Sequence, residues 1–85
     1  MSQLEKAKDR IRALPKDYTY DEARSLLKRL GFVEETKGKT SGSRVMFFRE
    51  SDKRAILLHK PHPQSEMREY AVKNLKEWLE GIGEL

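Results

Sequence analysis

From Leu4 to Leu30 the apolar residues recur every three or four positions, and from Phe32 to His59 they recur every second one. The change of period marks a passage from helices to strands. Ser2-Gln3-Leu4-Glu5 has capping-box spacing, and Leu4, Ala7, Ile11 and Leu14 follow at helical intervals until Pro15 ends the first helix. Thr19-Tyr20-Asp21-Glu22 opens a second helix with Tyr20, Ala23, Leu26, Leu27 and Leu30 on its buried side and Gly31 as a left-handed cap. Residues 32–37, 43–49 and 54–59 read as three consecutive antiparallel strands. The prolines at 61 and 63 cannot continue a ladder, so Ser65 is the expected N-cap of a last helix burying Met67, Tyr70, Ala71, Leu75, Trp78, Leu79 and Ile82.

The expected fold class is therefore α+β, in the order α-α-β-β-β-α, with a three-stranded meander packed on helices. A turn centred on Ser51-Asp52 sets the register: Arg49 faces Arg54, Phe47 faces Ile56, and Arg44 lies opposite His59. Val45, Phe47, Ile56 and Leu58 then form the core side. Arg44, Met46, Phe48, Leu57 and His59 form the other, and so apolar a strip calls for a covering helix or a partner.

With 85 residues the chain is one domain, 1–85, too small for more than one core. It has no cysteine, which excludes disulfides and thiol catalysis, and its charged, amphipathic start differs from a signal peptide, so a cytoplasmic location is expected. The net charge is +4, and the positive excess lies in the first two thirds: residues 66–85 carry 3 Lys/Arg against 5 Asp/Glu. That balance admits a polyanion partner.

Gly38-Lys39-Thr40-Ser41-Gly42-Ser43-Arg44-Val45 is rich in groups that hold phosphate, but a P-loop needs four residues between its glycines and a helix after it; here three separate Gly38 from Gly42 and strands flank both sides. A hairpin turn fits, and it offers Lys37, Lys39, Ser41, Gly42, Ser43 and Arg44 to a phosphodiester. His59 and His62 lie too far from any Asp, Glu or Cys at ligand spacing to make a metal site. An imidazole exchanges protons near neutrality, whereas a guanidinium holds phosphate charge without giving up its proton. That division assigns proton transfer to His59 and phosphate contact to Arg44, Lys60 and His62. Arg24, Lys28 and Arg29 read as the solvated side of the second helix, and Trp78 as a core anchor.

From Tyr20 to about Trp78, the helix, Leu30-Gly31-Phe32, a lysine-containing turn, Gly42-Ser43, an apolar strand and a second strand ending at a histidine resemble the HicA family. The resemblance implies a double-stranded-RNA-binding-like fold over residues 19–80, with 1–15 as an N-terminal helical extension. It also implies an mRNA interferase, an endoribonuclease working without a cofactor, with RNA and a HicB antitoxin as partners. The family's Gly-Ser-His motif falls on Gly42, Ser43 and Arg44, so Arg44 stands where the family places its catalytic histidine. His59 or His62 corresponds to the histidine after the third strand. Two other classes stay open: a non-catalytic RNA- or antitoxin-binding module, and an interaction domain that dimerises through Met46, Phe48 and Leu57.

Overall fold

The computed structural model describes residues 2–35, 44–61 and 65–85. Three helices, α1 (Gln3–Arg12), α2 (Tyr20–Arg29) and α3 (Glu69–Gly81), accompany three strands, β1 (Val33–Glu35), β2 (Arg44–Arg49) and β3 (Arg54–His59), in the order α-α-β-β-β-α. The strands form one antiparallel sheet in the order β1-β2-β3. The architecture is α+β, as the change of period predicts.

Side-chain chemistry sets the helix starts. Ser2 accepts from the Glu5 N–H, while Thr19 and Glu22 form a full reciprocal capping box. Gly31 closes α2 at a φ of +97°, a conformation that costs glycine little. α2 buries Tyr20, Ala23, Leu26 and Leu27, and α3 buries Val72, Leu75 and Leu79. Phe32, Val45, Phe47 and Leu58 complete the core from the sheet. α1 is welded to this body: Ile11 is fully buried, and Arg10 donates to Glu22 Oε2 at 2.7 Å and to Asp17 Oδ1 at 3.0 Å.

Three expectations need correction. α3 begins at Glu69 rather than after Ser65, and its N-cap Arg68 makes no side-chain capping bond. Residues 65–67 instead run extended beside 18–20: the Tyr20 N–H donates to the Ser65 carbonyl and the Met67 N–H to the Tyr18 carbonyl. Met67 is buried by that bridge rather than by a helix. Second, Tyr70 points outward at 64% exposure while Val72 takes its place inside. Third, Leu14 leaves the first helix with a φ of +49° and stays 42% exposed.

Arg49 ties the far end of the sheet to the helices. Its guanidinium donates to both carboxylate oxygens of Asp52, to Glu84 Oε2 at 2.7 Å and to the Leu30 carbonyl at 3.0 Å, and it lies 4.6 Å from the centre of the Phe32 ring. With the Arg49 side chain only 12% exposed, these bonds are largely withheld from water. Arg49→Ala is expected to lower the unfolding free energy by about 2 kcal/mol, read from urea denaturation. Ile11→Ala is expected to cost roughly 2–4 kcal/mol in the same measurement, the loss that a core position shows and a dispensable extension does not.

Three carboxylates titrate below their ordinary range. Glu22 is held down by its hydrogen bond from Arg10. For Glu34 burial pulls upward, but the bonds from Arg24 and Tyr20 outweigh it. Asp52 is held down by Arg49. A carboxylate whose folded pKa is depressed adds stability above its unfolded value and loses it as pH falls through the folded one. Thermal unfolding midpoints are therefore expected to hold at neutral pH and to drop as pH falls below the ordinary glutamate value of 4.5. Glu34→Gln should flatten part of that acid limb.

Candidate nucleic-acid site

Strand alternation sorts β2 and β3 into two faces. Val45, Phe47 and Leu58 point into the core, with Ile56 partly covered beside them. Val33, Phe48 and Ala55 form one register row on the opposite face, Glu35, Met46 and Leu57 form the next, and Arg44 beside His59 closes it. The expected partnership of Arg44 with His59 is present: the two are direct cross-strand partners. Both side chains are exposed. A directly opposed antiparallel pair has Cβ atoms about 4.5–5.5 Å apart, which puts the two side chains within reach of one another.

Lys60, the next residue, turns to the covered side of the sheet, where its Nζ lies 6.0 Å from the centre of the Tyr20 ring. It shares the sheet end with Arg44 and His59 but not their face. The remaining expected contacts, Lys37, Lys39, Ser41, Gly42, Ser43 and His62, lie outside the described residues.

A network that periodicity did not disclose lies on the covered side of the sheet, where Glu34 is opposite Phe47. The Tyr20 hydroxyl donates to Glu34 Oε2 at 2.9 Å, and Arg24 Nε donates to Glu34 Oε1 at 2.8 Å. Burial, then the carboxylate, push the Tyr20 phenol up, so it stays protonated as a donor. Arg24, read from the sequence as solvated, is thus half committed to β1. The signal was present: Glu34 falls on the covered side by strand parity, where a carboxylate requires partners.

Arg10, Arg12, Arg24, Arg49 and Arg54 each meet a carboxylate. Among the described residues no ion pair engages Arg44 or Lys60, nor Lys6, Lys16, Lys28, Arg29, Arg68 or Lys73 elsewhere on the surface. The arrangement offers two exposed cations and an imidazole at one sheet end. Among the described residues no three His, Cys, Asp or Glu side chains cluster as metal ligands, and no helix is long and apolar enough to cross a membrane.

The family model described as HicA toxin of bacterial toxin-antitoxin matches residues 20–82. No curated protein and no solved structure matches the chain. The matched span runs from the first residue of α2 through α3, takes in the whole sheet and the Arg44–His59 pair, and leaves α1 before it. The helix, meander and closing helix on which that pair is mounted are the matched unit, and the chain belongs to the HicA toxin family.

Proposed function

We propose that the protein is an RNA-binding endoribonuclease of the mRNA interferase kind, silenced by a HicB-like antitoxin. Membership of a toxin family implies a cognate antitoxin, and the observation that carries the enzymatic reading is the cross-strand placement of Arg44 and His59. Arg44 cannot replace a histidine as a base, because its guanidinium stays protonated. With His59 directly opposite, the site keeps an imidazole and a cation with their strand positions exchanged.

In this reading Arg44 binds the scissile phosphate and stabilises the charge that grows on its oxygens. The neutral His59 imidazole accepts the proton of the ribose 2′-hydroxyl as that oxygen attacks phosphorus. The bond to the 5′-oxygen breaks, leaving a 2′,3′-cyclic phosphate on one fragment. The departing oxygen takes a proton from water, and His62 serves as a phosphate contact. Lys37, Lys39, Ser41, Gly42, Ser43 and Lys60 bind flanking phosphates. No cofactor enters this scheme.

A second reading has its own observation. The resemblance of Gly42-Ser43-Arg44 to the family's Gly-Ser-His motif implies that Arg44 stands in the place of a catalytic histidine, which suits a module that binds RNA or antitoxin without cutting. One assay separates the two. Purified protein in EDTA is expected to cleave labelled RNA to 2′,3′-cyclic ends, and His59→Ala to slow cleavage at least about 100-fold while leaving binding largely intact. Arg44→Ala should lower both, and binding should weaken with salt at about 0.7 log units per neutralised phosphate per log unit of salt. Binding without cleavage establishes the non-catalytic module. Cleavage by His59→Ala at the parent rate removes His59 from the mechanism.

A further inference from the structure

At Lys60 the sheet end passes from one side to the other. Arg44 and His59 close the outer face, while Lys60, one residue on, lies exposed on the covered side. Two constraints hold it there. Pro61 follows, and a proline confines the residue before it to extended backbone, so the alternation of β3 carries through Lys60. The Lys60 ammonium then lies 6.0 Å from the centre of the Tyr20 ring, at the limit of the range in which a ring face attracts a cation.

Tyr20 is a fixed platform. It is 5% exposed, its N–H donates to the Ser65 carbonyl at 3.0 Å, its hydroxyl donates to Glu34, and its ring packs on Phe47 with centroids 6.4 Å apart. Donation to a carboxylate enriches the ring in electrons and strengthens its pull on a cation. Nor does a carboxylate draw Lys60 elsewhere. The two oxygens of Glu34 accept from Tyr20 and Arg24, and among the described residues no carboxylate, Glu66 of the neighbouring bridge included, forms an ion pair with Lys60.

We propose that Tyr20 is a positioning residue for RNA: its ring fixes Lys60 at the end of the sheet, so that a strand held by Arg44 on the outer face continues over that end and sets a neighbouring phosphate on Lys60. The inference rests on the RNA-binding part of the function proposed above and not on cleavage.

In the NMR spectrum of the full chain without RNA, the Lys60 Cε protons are expected upfield of those of the other lysines. Tyr20→Leu should abolish that displacement and Tyr20→Phe should keep it. Affinity is read with a single-stranded 2′-O-methyl oligonucleotide, which cannot be cut. Lys60→Met should weaken binding about fivefold, alike for unrelated sequences, and lower the salt slope by about 0.7, whereas Lys60→Arg should recover most of the loss. Tyr20→Leu should weaken binding about threefold in the parent chain and not at all in the Lys60→Met background. A merely structural Tyr20 would weaken both alike. Because Tyr20 is buried and Tyr20→Leu endangers the fold, the comparison is repeated between Tyr20→Phe and Tyr20→Phe with the ring fluorinated, which keeps the shape and removes the attraction for a cation. Fluorination should lower affinity about threefold, again only while Lys60 is present.

Lys60 protons without the upfield displacement, an affinity unchanged in Lys60→Met, or a loss on fluorination that persists in Lys60→Met each overturns the proposal while leaving RNA binding intact. A parent chain that binds no oligonucleotide overturns the RNA reading of the site and this inference with it. A chain that binds through Lys60 and Tyr20 as expected but cuts no RNA supports the inference and ends the ribonuclease reading.

Discussion

Pairing β2 with β3 so that Phe47 lies opposite Ile56 decides which side chains meet the helices and which meet solvent. A slip of one residue would carry Arg44, Met46 and Phe48 into the core and turn Val45 and Phe47 outward. The four-residue turn from Glu50 to Lys53 holds that register, and Arg49 anchors it by binding Asp52 in the turn, Glu84 near the chain end and the Leu30 carbonyl at the end of α2. Core, outer strip and candidate site are three consequences of the same pairing.

The protein handles its charges in two ways. Where cations serve the fold they are paired, as Arg10 is with Glu22 and Arg24 with Glu34, and the bound carboxylates stay ionised below their ordinary range. At the Arg44 end the charge is presented to solvent. A cation committed to a neighbouring carboxylate has little attraction left for phosphate, and Arg44 and Lys60 carry no such commitment among the described residues. Tyr20 links the two regimes, since it donates to Glu34 and lies beneath Lys60.

Much of this was legible along the chain. Both N-terminal capping signals, the cap at Gly31, all three strands and the opposition of Arg44 to His59 follow from local chemistry and a period of two. The errors share one origin. Ser65 is a good local capping residue, but its carbonyl is taken by the Tyr20 N–H, and the extended bridge to residues 18–20 moves the N-cap of α3 from Ser65 to Arg68. That move gives Val72 the buried position expected for Tyr70. The partner of Glu34 was likewise hidden, because parity shows that it is buried without showing what comes to meet it. For the candidate site, the Arg44–His59 pairing was readable, while the turn of Lys60 toward Tyr20 and away from that face was not.

The sequence by itself determined the element order, the face each strand residue takes and the pairing across the hairpin, since these depend on side-chain periodicity and turn length, which are local quantities. Only the tertiary structure decided that α1 is part of the core, that residues 65–67 are extended, which arginines are neutralised and that none of the described helices covers the Met46, Phe48 and Leu57 strip. Each of those depends on segments distant in sequence competing for one surface or one hydrogen-bonding group, and no local pattern records which competitor wins.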